Sequence, residues 1–199
     1  MSLDTERFTY AQLKDPTVES IDEFAFRILP LELRTPEYDE RLLNGGVNKA
    51  NSYSSAEHLA TDRWQEGQEV RNRIEQGRIT ARIAIGEAAL RNFGSGNPEV
   101  DRQIQRRALK HIAVYALAGH ARIAPYSVDT RGAATDNFMV VRFTNKDPLT
   151  VDWSLTGGRG YNDPQLADRT TNNFNEIWED SLSGQAAADY LRDVASELH

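Results

Sequence analysis

The chain has 199 residues, a net charge of −7, 39% hydrophobic residues and no cysteine. That length suits one domain, or one domain with an arm. The missing cysteine excludes disulfides, thiol nucleophiles and Cys-ligated zinc or iron–sulfur chemistry. The start lacks the apolar core of a signal peptide, and no apolar run nears the ~20 residues of a bilayer span, so the expectation is a soluble cytoplasmic protein, or one within an assembled particle, with no membrane partner.

Residues 1–55 read as an irregular, extended N-terminal arm. Asp15-Pro16, Leu29-Pro30 and Thr35-Pro36 each bias the preceding residue away from helix. Short helical pieces are predicted at 5–14, capped by Thr5, and at 19–28, capped by Ser20 with Phe24 and Ile28 on one face. Asn44-Gly45-Gly46 reads as a turn. Residues 56–199 read as a helical domain. A helix is predicted from Ser54-Ser55 to about Gln76, with Gly77 kinking or ending it, and a second over 78–92 carried by Ile79, Ile83, Ala84, Ala88 and Leu90. Phe93 to Pro98 is a stop followed by a start, with Gly94 after the last turn, Asn97 as cap and Pro98 at the first helical position. The helix over 98–119 holds the most hydrophobic stretch of the chain in its second half.

Past Pro125 the pattern changes. Asn137–Thr144 reads as a strand, and Leu149–Leu155 alternates apolar with polar, so a small β-hairpin is predicted at about 137–155. Thr156–Pro164 reads as a flexible loop, and 171–182 and 184–198 as helices. The fold expected from this pattern is mainly α: a helical bundle with an extended N-terminal arm and one small β-hairpin.

Charge is unevenly spread. Residues 1–40 hold ten acids and four bases, 63–110 hold ten bases and six acids, and 161–199 hold eight acids and two bases. Nineteen of the 23 bases are arginine, whose planar fork pairs bidentately with carboxylate or phosphate. Arg71, Arg78 and Arg82 would share one stripe of a continuous helix, and Arg102, Arg106, Arg107 and Lys110 extend a basic surface one turn apart. Such a surface suits nucleic-acid backbone or another anion, or the acidic end of a neighbouring copy. Aromatic partners are scarce beside it, so base-specific reading is not indicated. His58, His111, His120 and His199 form no metal-ligand spacing, so neither a metal nor a cofactor is expected. Gly157-Gly-Arg-Gly160 could hold an anion through backbone N–H groups, and Asp129, Arg131 and Asp136 read as a capped polar turn.

Arg34-Thr-Pro-Glu-Tyr38, Gly45-Gly46 and Ser55-Ala-Glu-His58 together resemble the first zinc-ligand region of the D-Ala-D-Ala peptidase family, and Tyr126–Gly132 is similar to its later His-x-Asp segment. The chain departs from that pattern at Thr61, Gln65 and Ser127, which replace a glycine, an aspartate ligand and a histidine. The resemblance implies a hydrolase with its site near His58 and Asp129, yet His58 alone cannot hold zinc.

With no nucleophile elbow or nucleotide-binding loop in the sequence, the function expected is non-enzymatic: a structural protein that self-associates as a homo-oligomer. A phage or virus shell or filament subunit fits, its coat holding nucleic-acid backbone in an arginine-lined groove. The alternative is the hydrolase.

Overall fold

The computed structural model describes residues 5–46, 56–91, 98–125, 137–154 and 157–198. Its centre is a seven-stranded mixed sheet, which overturns the expected mainly-α bundle. The strands are β1 (Thr5–Phe8), β2 (Val18–Ala25), β3 (Thr80–Gly86), β4 (Ala121–Ala124), β5 (Asn137–Phe143), β6 (Leu149–Ser154) and β7 (Gly157–Tyr161). They lie in the order β1-β7-β6-β5-β2-β3-β4. The pairs β2–β3 and β3–β4 are parallel and all others antiparallel.

The N-terminal segment is therefore no arm. Its strand β2 is hydrogen-bonded on both edges, to β3 and to β5. The helix expected at 19–28 is this strand. Ile21, Glu23 and Ala25 alternate with Asp22 and Phe24, and all five are buried. A strand covered on both faces shows no outward polar rhythm, and two buried acids in its middle disguise it further. The helix expected over 78–92 divides in the same way. Gly77 has φ +66, a left-handed conformation open to glycine, and it stops the preceding helix so that β3 can start. Ile79, Ala81, Ile83 and Ile85 then keep the period of two that belongs to a strand. The hairpin expected at 137–155 is present as β5 and β6, two strands of the seven.

Six helices cover the sheet among the described residues: α1 (Pro36–Gly46), α2 (Ala56–Glu75), α3 (Glu87–Arg91), α4 (Pro98–Leu117), α5 (Pro164–Asp180) and α6 (Gly184–Glu197). The β2–β3 crossover carries α1 and α2, and the β3–β4 crossover carries α3 and α4. Two parallel crossovers of one hand, stepping the same way along the sheet, place their helices on one face. Val70 and Ile74 of α2 accordingly pack with Ile21, Ala25, Met139 and Val141. Ile104, Ala108, Leu109 and Ile112 of α4 pack with Ile83, Ile85, Ala121 and Ile123, joined by Leu191 and Val194 of α6.

The opposite face belongs to α5. Asp163 caps it, accepting hydrogen bonds from the N–H groups of Gln165 (2.9 Å) and Leu166 (3.2 Å), with Pro164 at the first helical position. Phe174 and Ile177 pack on Phe24, Ala84 and Ala124. At the β4 edge, Ile123 and Leu182 exchange two backbone hydrogen bonds, of 2.9 and 2.8 Å. Among the described residues no helix is long and apolar enough to cross a membrane.

Candidate functional site

The β1–β7–β6 end of the sheet forms two adjoining clefts. The larger, about 570 Å³, is lined by Arg7, Arg159, Asp152, Asn137, Trp153 and Tyr161, with Ser154, Gly157 and Gly158. The smaller, about 230 Å³, runs toward α2 and adds Arg34, Arg63, Glu66, Tyr10, Thr9 and Leu31. Arg7, Trp153, Ser154 and Gly157 belong to both.

Strand register explains the charge. Arg7 of β1 stands directly opposite Arg159 of β7, and Arg159 stands opposite Asp152 of β6. Side chains directly opposite point to the same face, so two guanidinium groups neighbour each other with one carboxylate beyond. Like charges in that arrangement repel unless an anion lies between them. The strands can come together here because β7 is glycine-rich. A Cβ on Gly158 would stand 3.0 Å from Val151 Cγ1, and one on Gly160 would stand 2.9 Å from Leu149 Cδ1.

The wall toward α2 is a buried polar layer. The Tyr10 hydroxyl donates to Glu23 Oε1 (2.9 Å) and accepts from the Leu31 N–H (3.3 Å). Burial, with the neighbouring Glu32 carboxyl, holds Glu23 well above the usual carboxylate range. Glu32 is raised as well, again by burial. Arg34 is locked from behind: Nη1 donates to Asp39 Oδ1 (2.8 Å) and Nε to the Leu29 carbonyl (2.6 Å). Its guanidinium carbon lies 6.0 Å from the centre of the Trp153 ring, which Tyr10 meets edge-on. Arg63 of α2 is half-buried. Burial, then the positive charge of Arg34, pulls its pKa down. A negative charge entering the smaller cleft would relieve that cost.

Asn137 anchors the rim. Its Oδ1 accepts from the N–H groups of Phe26 (2.8 Å) and Arg27 (2.9 Å), just beyond the carboxyl end of β2. This is the place where the sheet changes from parallel to antiparallel, since β2 pairs with β3 one way and with β5 the other.

The arginines singled out from the sequence do not gather here. Arg71 is buried in α2 and donates to the Glu32 carbonyl through Nε (2.8 Å) and Nη2. Arg78 is exposed beyond the end of α2. Arg82 lies on β3, on the α5 face, donating to Asp22 Oδ1 (2.6 Å), with its guanidinium 5.0 Å from the Phe174 ring centre. The single stripe expected of these three fails because Gly77 ends the helix between them. On α4, Arg102 pairs with Glu99 (3.0 Å), Arg107 is exposed, and Arg106 and Lys110 rim a separate groove. Gly157–Tyr161 is a strand between two others, so its backbone N–H groups serve the sheet instead of an anion loop.

Sequence reasoning missed Arg7, Arg63 and Trp153 as site residues. The pairing of Arg7 with Arg159 joins positions far apart in the chain, and nothing local signals it. Of the hydrolase alternative, Asp129 and the side chain of His58 lie outside the described residues, as do Arg131 and Asp136. Among the described residues, no three His, Asp or Glu side chains stand together as metal ligands.

Comparison with known proteins gives a family and little else. The model of DUF5753, a domain of unknown function, matches residues 13–193. No curated protein matches the chain. The crystal structure of a phospholipase D family member, Nuc from Salmonella typhimurium, is similar at 12% identity and a TM-score of 0.43, covering 92% of this chain and 97% of that one. That likeness is too distant to argue from.

Proposed function

We propose, from the premise that the chain belongs to the DUF5753 family of unknown function, that it is a non-catalytic binding protein. Its ligand is a small anion, a phosphate or carboxylate compound, held in the arginine-lined cleft. The observation that carries this reading is Arg7 facing Arg159 across β1 and β7, with Arg34 and Arg63 on the adjoining wall. Arg7 and Arg159, side by side on one face, supply forked donors for two or three oxygens, and Arg63 stands in the adjoining smaller cleft. Tyr161, two residues from Arg159 on the same face, offers ring surface to the remainder of the ligand. Two acids, Glu66 and Asp152, also line the hollow, and they favour a ligand that carries a donor besides its negative charge. The reading stops at binding.

The test is calorimetric titration and thermal melting with inorganic phosphate, citrate, a nucleoside monophosphate and a short single-stranded oligonucleotide. A ligand at 100 times its Kd stabilises the fold by about 2.7 kcal/mol, a visible shift. Arg7→Ala with Arg159→Ala changes two exposed side chains, so the variant should fold and lose the shift. An equal shift in the variant, or none of these anions shifting the wild type, counts against the cleft. Preference for the oligonucleotide over the mononucleotide would extend the site to nucleic-acid backbone. A shell or filament role draws no support from the fold: of the segment expected to reach between subunits, β1 and β2 pair into this chain's own sheet.

A further inference from the structure

The face formed by α4 and α6 carries a second, unrelated surface. A groove of about 410 Å³ runs between the two helices, floored by Leu109, Ala113 and Leu191 and edged by Val114 and Leu117. Val114 is 63% exposed and Leu117 is 50% exposed. With Val100, they are the large hydrophobic residues left exposed among the described residues. One isolated exposed leucine would mean nothing, but Val114 and Leu117 lie three apart on one helical stripe, beside an apolar hollow. One and two turns before Val114 on that stripe stand Lys110 and Arg106.

Charge on the two helices is opposite. Beyond its first turn α4 presents Arg102, Arg106, Arg107 and Lys110, whereas α6 presents Asp189, Asp193 and Glu197 against Arg192. Asp189 is taken by Arg192 and Gln185, and Glu197 by Arg91. Lys110 and Asp193 make no ion pair among the described residues. A face with a basic helix beside an acidic helix, and an apolar furrow between, is complementary to its own copy. Under a two-fold axis running along the furrow, each α4 lies over the α6 of the other copy. Lys110 and Arg106 then approach the side of α6 that carries Asp193 and the Asp189–Arg192 pair, with Arg192 at the furrow's edge, and Val114 and Leu117 enter the opposite furrow. That is the geometry of an isologous contact, in which one patch serves both subunits.

We infer that this chain forms a symmetric dimer through the α4–α6 face, the occupant of the groove being a second copy of the same chain. The inference is independent of the anion cleft, which lies at the far end of the sheet order from β4, the strand nearest these helices.

Sedimentation equilibrium on the full chain tests it. The wild type should show a mass twice its 22.4 kDa. Val114→Asp with Leu117→Asp should shift the species to monomer, weakening association at least about tenfold, since a buried charge faces an apolar furrow. Both positions are exposed in the single chain, so the circular dichroism spectrum and the melting temperature at low concentration should hold. Lys110→Glu should weaken the dimer by a smaller factor, and added salt should do the same, because rim charges are screened. A wild type that remains monomeric up to its solubility limit overturns the inference. So does an aspartate variant that dimerises as tightly as the wild type. A larger oligomer in place of a dimer, unaffected by the aspartates, overturns it too.

Discussion

Replacing Gly67 by alanine separates helix propensity from packing. Gly67 lies inside α2, where glycine is worth about 1 kcal/mol less than alanine. On that ground alone, Gly67→Ala would stabilise the protein. The structure predicts the reverse. A Cβ at this position would stand 2.5 Å from the Leu31 carbonyl oxygen and 2.9 Å from its carbon. Those atoms belong to the backbone of a short 3-10 turn, Leu31–Leu33, which cannot swing aside as a side-chain tip would. Overpacking of this kind costs about 1–3 kcal/mol even after the surroundings relax. The turn is also held to α2 through the bonds from Arg71 to the Glu32 carbonyl, so pushing it away strains a buried guanidinium. With the helix gain of about 1 kcal/mol subtracted, a net loss of about 1 kcal/mol is expected, which for a chain of this size lowers Tm by about 2–4 °C. Thermal melting by circular dichroism reads this directly. Gly77→Ala is the contrast: nothing stands within 4 Å of its Cβ, and the cost, about 1 kcal/mol, comes from φ +66 alone. A Gly67→Ala protein melting at or above the wild type would refute the close approach of α2 to the 3-10 turn.

Three further perturbations probe the buried charges. Asp22, 3% exposed, accepts from Arg82 Nε and Arg142 Nη1, both at 2.6 Å, so Asp22→Asn breaks two bridges at once. The two arginines are about a third exposed and can rehydrate, which limits the loss to about 1–3 kcal/mol, read as a lower urea midpoint with an unchanged slope. Glu23 has a carboxyl pKa raised above its ordinary 4.5, so the native state holds its proton longer than the unfolded chain does. Stability from this group is therefore full at acidic pH and is lost progressively as pH rises above about 4.5, the opposite of a salt-bridged carboxylate. Glu23→Gln should flatten that slope and gain stability at neutral pH over the wild type; urea melts across pH 5 to 8 would expose an unaltered slope. Phe174→Ala should cost about 3–5 kcal/mol, because that ring is fully buried between α5 and the sheet and stacks with Trp178 at 5.7 Å; a loss under about 1 kcal/mol would mean α5 does not seal that face.

Helices were the legible part of this sequence. The stretches read as helical at 54–76, 98–119 and 184–198 contain α2, α4 and α6, each amphipathic over several turns. The sheet was hidden for separate reasons. In β2 the acids Asp22 and Glu23 occupy positions that a sequence reader assigns to solvent, yet one is neutralised by two arginines and burial pushes the pKa of the other well up. In β3 the period of two at Ile79, Ala81, Ile83 and Ile85 was present, but Ala84, Ala88 and Leu90 completed a competing helical stripe. Only the β5–β6 alternation, with polar residues facing water on β6, carried its strand signature openly. The cleft was still less accessible. Arginine richness was plain, but which guanidiniums meet depends on the register of β1 against β7. Arg34 stood out only through a peptidase-like loop, whereas its place in the fold comes from Asp39, Leu29 and Trp153.

The two backbone bonds between Ile123 and Leu182 have a wider consequence. A sheet border with vacant amide groups recruits strands from other molecules. Here the link between α5 and α6 sits against the outermost strand and occupies part of that border. At the other border β1 is four residues long and carries Glu6 and Arg7, a short charged strip that offers poor footing to an incoming strand. Polymerisation by sheet continuation is thus discouraged on both sides, and encounters between molecules are directed to the helical surface.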